Sequence, residues 1–283
     1  MTFGTNLLLF GDSVTPDILA RFASLREMGF DGVEVPIFAP GSIDVDRIRA
    51  AAEACGLAIT TSGALPPGAR FYGDDADAIA AAEAYVRDTI RVAYQLGAAV
   101  LCGPLYKAVG DVDMSLPLEQ QRRDTAAAMR PLAEEAGNNG VVLAFECLNR
   151  FETNFLNTAE QGIAFCETVD HPAAGLLLDT FHMHIEEKDS AAALRAARAA
   201  GRLAHVHAAE NDRGTAGSGQ VHWPAVGGVL KDPPYDGWVV LESFNQSNEA
   251  IKTAVSCWRP FYASEEAFLR DGLRFVQNLV GAE

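Results

Sequence analysis

Short runs of apolar residues alternate along the chain with longer stretches whose apolar positions recur at helical spacing. The runs predict strands near Phe3–Phe10, Gly32–Phe38, Leu57–Leu65, Ala98–Tyr106, Val141–Leu148, Gly175–Phe181, Leu203–Ala209 and Trp238–Phe244. The stretches predict helices over Pro16–Met28, Val45–Cys55, Ala76–Leu96, Pro117–Ala136, Thr158–Val169 and Ser190–Ala200, a short one after Trp223, and a last one over Ser264–Val280. Eight strands, each followed by a helix, predict an α/β fold: a single (β/α)8 TIM barrel, a class that takes ~250 residues. Gly32, Gly56, Gly97 and Gly140 stand just before strands and Asp44 just before a helix, where turn and cap residues belong.

Val141-Val142-Leu143-Ala144-Phe145 and Gly175-Leu176-Leu177-Leu178 are apolar on both faces, as parallel strands covered inside and out should be. A doubly wound open sheet would alternate in the same way. However, the first strand-to-helix turn, Phe10-Gly11-Asp12-Ser13, carries no G-x-G-x-x-G fingerprint. No Gly/Ser/Pro-rich linker and no internal repeat interrupts the alternation, so residues 1–283 read as one TIM-barrel domain.

Charge narrows the possible partners. The formal net charge is −16. The lysines are Lys107, Lys188, Lys231 and Lys252 alone, and the arginines are scattered, so no basic stripe offers itself to phosphates and no nucleic-acid partner is expected. No stretch approaches the ~18 apolar residues of a membrane span. The amino-terminal residues lack the positively charged lead of a secretory signal. Cys55, Cys102, Cys147, Cys166 and Cys257 are odd in number and form no C-x-x-C pair, which reads as reduced thiols in a cytoplasmic protein.

The chemistry collects at the ends of four successive strands, in Glu146, Asp179, His207 and Glu242. Strand periodicity puts Glu146 on the face of Ala144, Asp179 on that of Leu177, His207 on that of His205 and Glu242 on that of Val240, so all four can point into the barrel mouth. Taken singly, each could be a buried ion pair. Together, three carboxylates in one mouth repel one another unless a cation sits among them. Three oxygen donors and one imidazole suit one divalent ion, Mn²⁺ or Mg²⁺ with Co²⁺ as a further option, better than a thiolate-type Zn²⁺ site. His205 faces the same way as His207, so spacing alone leaves both open as the imidazole ligand; His207 is nearer the strand end.

The segments around these residues are Glu146-Cys147-Leu148-Asn149-Arg150-Phe151-Glu152, Leu178-Asp179-Thr180-Phe181-His182-Met183, His205-Val206-His207 with Arg213 six residues on, and Leu241-Glu242-Ser243-Phe244. In this order they resemble the D-tagatose 3-epimerase and D-psicose 3-epimerase group of the xylose-isomerase-like barrels, over about Val141 to Arg259. The resemblance implies that Glu146, Asp179, His207 and Glu242 hold the metal, with Mn²⁺ expected. It implies that Glu152, His182 and Arg213 contact a sugar near its first three carbons. Glu146 and Glu242 would then be the paired acid and base that invert carbon 3 of a free ketose through an enediolate. A small-molecule sugar is the expected substrate, and a homo-oligomer, dimer or tetramer, the expected assembly. Two departures stand out: Ala208-Ala209 precede Glu210 where these enzymes commonly have a glycine, and Ser243 stands where they often have proline.

Rival readings share the barrel. An aldose–ketose isomerase, or one acting on hydroxypyruvate or an inosose, would use the same enediolate with one-face proton transfer. An endonuclease IV-like phosphodiester hydrolase would need more histidines, for three zinc ions, and less negative charge. The loop Gly214-Thr215-Ala216-Gly217-Ser218-Gly219 has no lysine and reads as a flexible edge of the site rather than a phosphate cradle.

Overall fold

The structure, a computed structural model, describes residues 1–282. Eight strands, β1 (Thr2–Asn6), β2 (Gly32–Pro36), β3 (Ala58–Ser62), β4 (Val100–Gly103), β5 (Val142–Glu146), β6 (Ala174–Asp179), β7 (Leu203–Ala208) and β8 (Trp238–Leu241), run in chain order. Each pairs in parallel with the next, and β8 closes on β1, so the predicted barrel is formed. Helices lie between the strands. Among the described residues no helix is long and apolar enough to cross a membrane.

Several predicted strands end earlier than the apolar run does. The run from Phe3 turns at Asn6, whose side chain accepts the Leu8 N–H and folds Leu7–Leu9 into a buried 3₁₀ turn. The run from Gly175 stops at Asp179, which caps the helix Thr180–Glu186 by accepting the Phe181 N–H at 2.8 Å. In both places a side chain captures a backbone donor, which hydrophobicity does not report. The predicted first helix is divided into Pro16–Leu19 and Phe22–Met28, and a helix over Glu249–Ala254 was not expected.

Below the mouth the barrel interior is packed shut. Trp238 lies against the cluster of Val100, Cys102, Ala144 and Leu177. Gly32 makes room for its ring, since a Cβ there would lie 2.5 Å from the indole. Between β6 and β7 the register shifts at Leu176/Leu177, so that Leu177 pairs with His205 and Asp179 with His207. That shift sets both histidines facing inward beside the acidic strand ends. Behind β5, Tyr106 stacks on Phe155 at 5.0 Å and Phe145 meets Phe165 edge-on at 5.1 Å. The Tyr106 hydroxyl donates to the Glu146 carbonyl at 2.6 Å, tying down the end of the strand that carries the first acidic residue.

Candidate active site

Glu146 and Asp179 close β5 and β6, His207 is one residue from the end of β7, and Glu242 directly follows β8. The structure brings all four together: one ligand atom from each lies within 4.8 Å of every other. All four are buried. His207 Nδ1 is a buried nitrogen with no hydrogen-bond partner, 3.2 Å from Glu242 Oε1. A buried imidazole nitrogen left without a hydrogen bond among three carboxylates is costly unless an ion joins them, so the residues present fit a divalent cation. His205, the alternative ligand, instead has Nε2 2.7 Å from Glu34 Oε2, away from the other three.

Arg213 carries part of the charge. Its Nη1 donates to Asp179 Oδ2 and to Glu242 Oε2, each at 2.6 Å, and its guanidinium stacks 3.8 Å from the Phe181 ring centroid. Arg213 has φ 66°, a left-handed conformation unusual for a long side chain. Ser243 supports it: the hydroxyl donates to the Arg213 carbonyl at 2.8 Å. The serine that departs from the usual proline therefore holds the backbone that aims the arginine.

These neighbours set the ionisation of the ligands. Burial opposes the charge of Glu242, but His207 and Arg213 outweigh it and hold the carboxyl below its usual range. For Asp179 burial prevails over Arg213 and His182, and the carboxyl is pushed up. Burial likewise disfavours a charged His207, yet Glu242 and Glu34 overcome it and raise the ring well above its ordinary value. Binding a cation at Nδ1 therefore displaces a proton.

The expected sugar-contacting residues stand beside this cluster. His182 Nδ1 accepts the Asn149 N–H at 3.0 Å, which leaves the proton on Nε2, 3.4 Å from Glu146 Oε1. Glu152 forms no ion pair with Arg150 or Arg213: Arg150 is matched to Glu186, and Glu152 accepts from Asn149 Nδ2 at 2.8 Å. Both His182 and Glu152 line a cavity of about 380 Å³ together with Glu146, His207, Arg213 and Glu242. The rest of its wall is mainly apolar and includes Leu8, Phe38, Leu65, Pro66, Val109 and Phe244.

Sequence reasoning passed over several residues that hold the site. Glu34, on β2, is fully buried and contacts both His205 and His207. A carboxylate inside the apolar run Val33-Glu34-Val35 was a usable signal, because such a position is not tolerated without partners. Glu210 is also fully buried, and its carboxylate accepts the N–H groups of Asn211, Gly217 and Val221 and the indole N–H of Trp223. The glycine-rich loop read as a flexible edge is thus pinned from below by one acidic side chain.

A family model described as "Xylose isomerase-like TIM barrel" matches residues 22–270. The chain is 34% identical to a probable ketose 3-epimerase of Synechocystis sp., covering 91% of this chain and 89% of that one. It is 34% identical to a ketose 3-epimerase of Arthrobacter globiformis, with 90% of each chain covered. Among solved structures, a D-allulose 3-epimerase from Methylomonas sp. in complex with D-allulose superposes with a TM-score of 0.91 at 29% identity, covering 98% of this chain and 96% of that one.

Proposed function

The chain belongs to the xylose isomerase-like TIM barrel family, and from that premise we propose that it is a metal-dependent isomerase that epimerises a free ketose at carbon 3. The observation that carries this reading is the convergence of Glu146, Asp179, His207 and Glu242 on one buried point, with His207 Nδ1 left without a hydrogen bond. The likeness to ketose 3-epimerases supports the substrate class. Mn²⁺ is the ion we assign, Mg²⁺ and Co²⁺ being compatible with the same donors.

When bound by these four residues, the ion supplies positive charge beside the ketose carbonyl and neighbouring hydroxyl oxygens, where negative charge develops. Glu146 and Glu242 rise from β5 and β8, three strands apart around an eight-stranded mouth, and so address a bound sugar from different sides. One takes the carbon-3 proton and the other returns a proton to the opposite face; in the reverse direction the roles exchange. Arg213, donating to Glu242 Oε2 at 2.6 Å, holds the carboxylate that would act as the base. His182, through Nε2–H, and Arg213, through the guanidinium N–H groups not engaged by Asp179 and Glu242, donate to the enediolate oxygens. Glu152, oriented by Asn149, accepts a sugar hydroxyl. The apolar wall keeps water from the carbanion-like intermediate.

Stripping the protein with a chelator, reloading it with Mn²⁺ and assaying a panel of free ketoses for the carbon-3 epimer tests this reading. Activity is expected to vanish with the metal and return with Mn²⁺. Turnover that survives exhaustive chelation would contradict it.

A further inference from the structure

Glu34 has no part in the acid–base scheme, although it is fully buried beside the four donors. Its Oε1 accepts from Asn6 Nδ2 at 2.8 Å and lies 3.0 Å from His207 Nε2. Its Oε2 lies 2.7 Å from His205 Nε2 and 3.3 Å from both Thr60 Oγ1 and Cys102 Sγ. Asn6, Thr60 and Cys102 donate to it and His207 stands in hydrogen-bond geometry with it, the surroundings of an ionised acceptor.

We propose that Glu34 is a positioning residue for the metal: it accepts the Nε2 proton of His207, fixing the tautomer and ring angle so that Nδ1 is the nitrogen presented to the site. The two nitrogens of His207 face opposite ways, Nε2 to Glu34 at 3.0 Å and Nδ1 to Glu242 at 3.2 Å. An imidazole offers its lone pair at one nitrogen only when its proton is held at the other, and a buried carboxylate is the partner that does this most firmly. Glu34, Cys102, His205 and His207 are themselves close enough to hold a second ion. Yet Glu34 Oε1 and His207 Nε2 stand 3.0 Å apart in hydrogen-bond geometry, so a proton rather than a cation lies between them. This inference rests on the metal reading above.

Two measurements on the full chain test it. The first compares Mn²⁺ affinity of wild type and Glu34→Gln by paramagnetic resonance of the free ion, with circular dichroism and thermal melting confirming that the variant is folded. A 10- to 100-fold loss of affinity is expected, the range seen when the partner of a ligating histidine is removed. The second needs no variant: nitrogen-15 spectra of the Mg²⁺-loaded wild type are expected to show His207 protonated at Nε2 and bare at Nδ1. A folded Glu34→Gln protein that binds Mn²⁺ within about threefold of wild type, well short of that range, would overturn the proposal. So would His207 protonated at Nδ1 in the Mg²⁺ form, or two Mn²⁺ per wild-type chain falling to one in the variant, which would make Glu34 a ligand. A wild type that binds no Mn²⁺ removes the metal reading and this inference with it. Equal binding by variant and wild type removes the inference alone.

Discussion

Replacing Glu210 by glutamine isolates the loop that carries Arg213. The carboxylate accepts four N–H groups: Oε1 from Asn211 at 3.0 Å and Val221 at 2.8 Å, Oε2 from Gly217 at 2.9 Å and Trp223 Nε1 at 2.8 Å. A glutamine keeps one acceptor oxygen and turns an NH₂ group toward the other two donors. Each lost bond to a buried charged acceptor costs ~1.5–3 kcal/mol, so two amount to ~3–6 kcal/mol before the loop relaxes. With relaxation we expect a loss of about 3 kcal/mol and a fall in Tm of roughly 6–10 °C. Thermal melting and tryptophan emission report it, because Trp223 loses its partner. Arg213 N–H donates to the Glu210 carbonyl at 2.9 Å, so KM should rise as well. Burial opposes the Glu210 charge, but the Trp223 indole and the backbone N–H groups outweigh it and lower its pKa. A group with a lowered folded pKa stabilises above its ordinary value and loses that stability as pH falls through the folded one. The difference between wild type and variant should therefore be full at neutral pH and shrink in acid. A fall in Tm under about 2 °C, less than 1 kcal/mol by the same scaling, with unchanged emission at neutral pH would refute this account of the loop.

The remaining substitutions separate metal from sugar. Asp179→Asn should weaken Mn²⁺ binding by more than ~10-fold, since losing even a partner of a ligand costs that much; elemental analysis after dialysis checks it. Glu152→Gln should lower turnover of the sugar and leave the metal content at the wild-type value; metal loss equal to that of Asp179→Asn would place Glu152 among the ligands. Glu242→Gln should slow epimerisation ~10²–10⁴-fold, equivalent to about 3–5 kcal/mol of barrier. It should still allow hydrogen exchange without inversion, because Glu146 can remove and return the proton on its own face; steady-state assays in deuterated water distinguish the two.

Much of this was readable because parallel strands covered on both faces write themselves as apolar runs, and because barrel chemistry stands where those runs end. Glu146, Asp179, His207 and Glu242 break such runs, which made them visible. The strand limits were less legible: Asn6 and Asp179 stop their strands by capturing a backbone N–H, a local bond that apolarity does not report. Glu34 was hidden for a different reason. Its partners His205 and His207 lie more than 170 residues away, and only closure of the barrel makes a lone acid in β2 the neighbour of two imidazoles in β7. Ser243, noted only as a departure, acquired a meaning once the left-handed backbone of Arg213 placed a carbonyl within reach of its hydroxyl.

The central claim is that two carboxylates move a proton at carbon 3 across both faces of a ketose. The most direct test is to incubate the Mn²⁺-loaded wild type with free ketoses in deuterated water and follow each carbon by NMR. The account predicts deuterium at carbon 3 in both epimers, with no aldose formed. Deuterium confined to carbon 1, together with conversion of the ketose to an aldose, would contradict it.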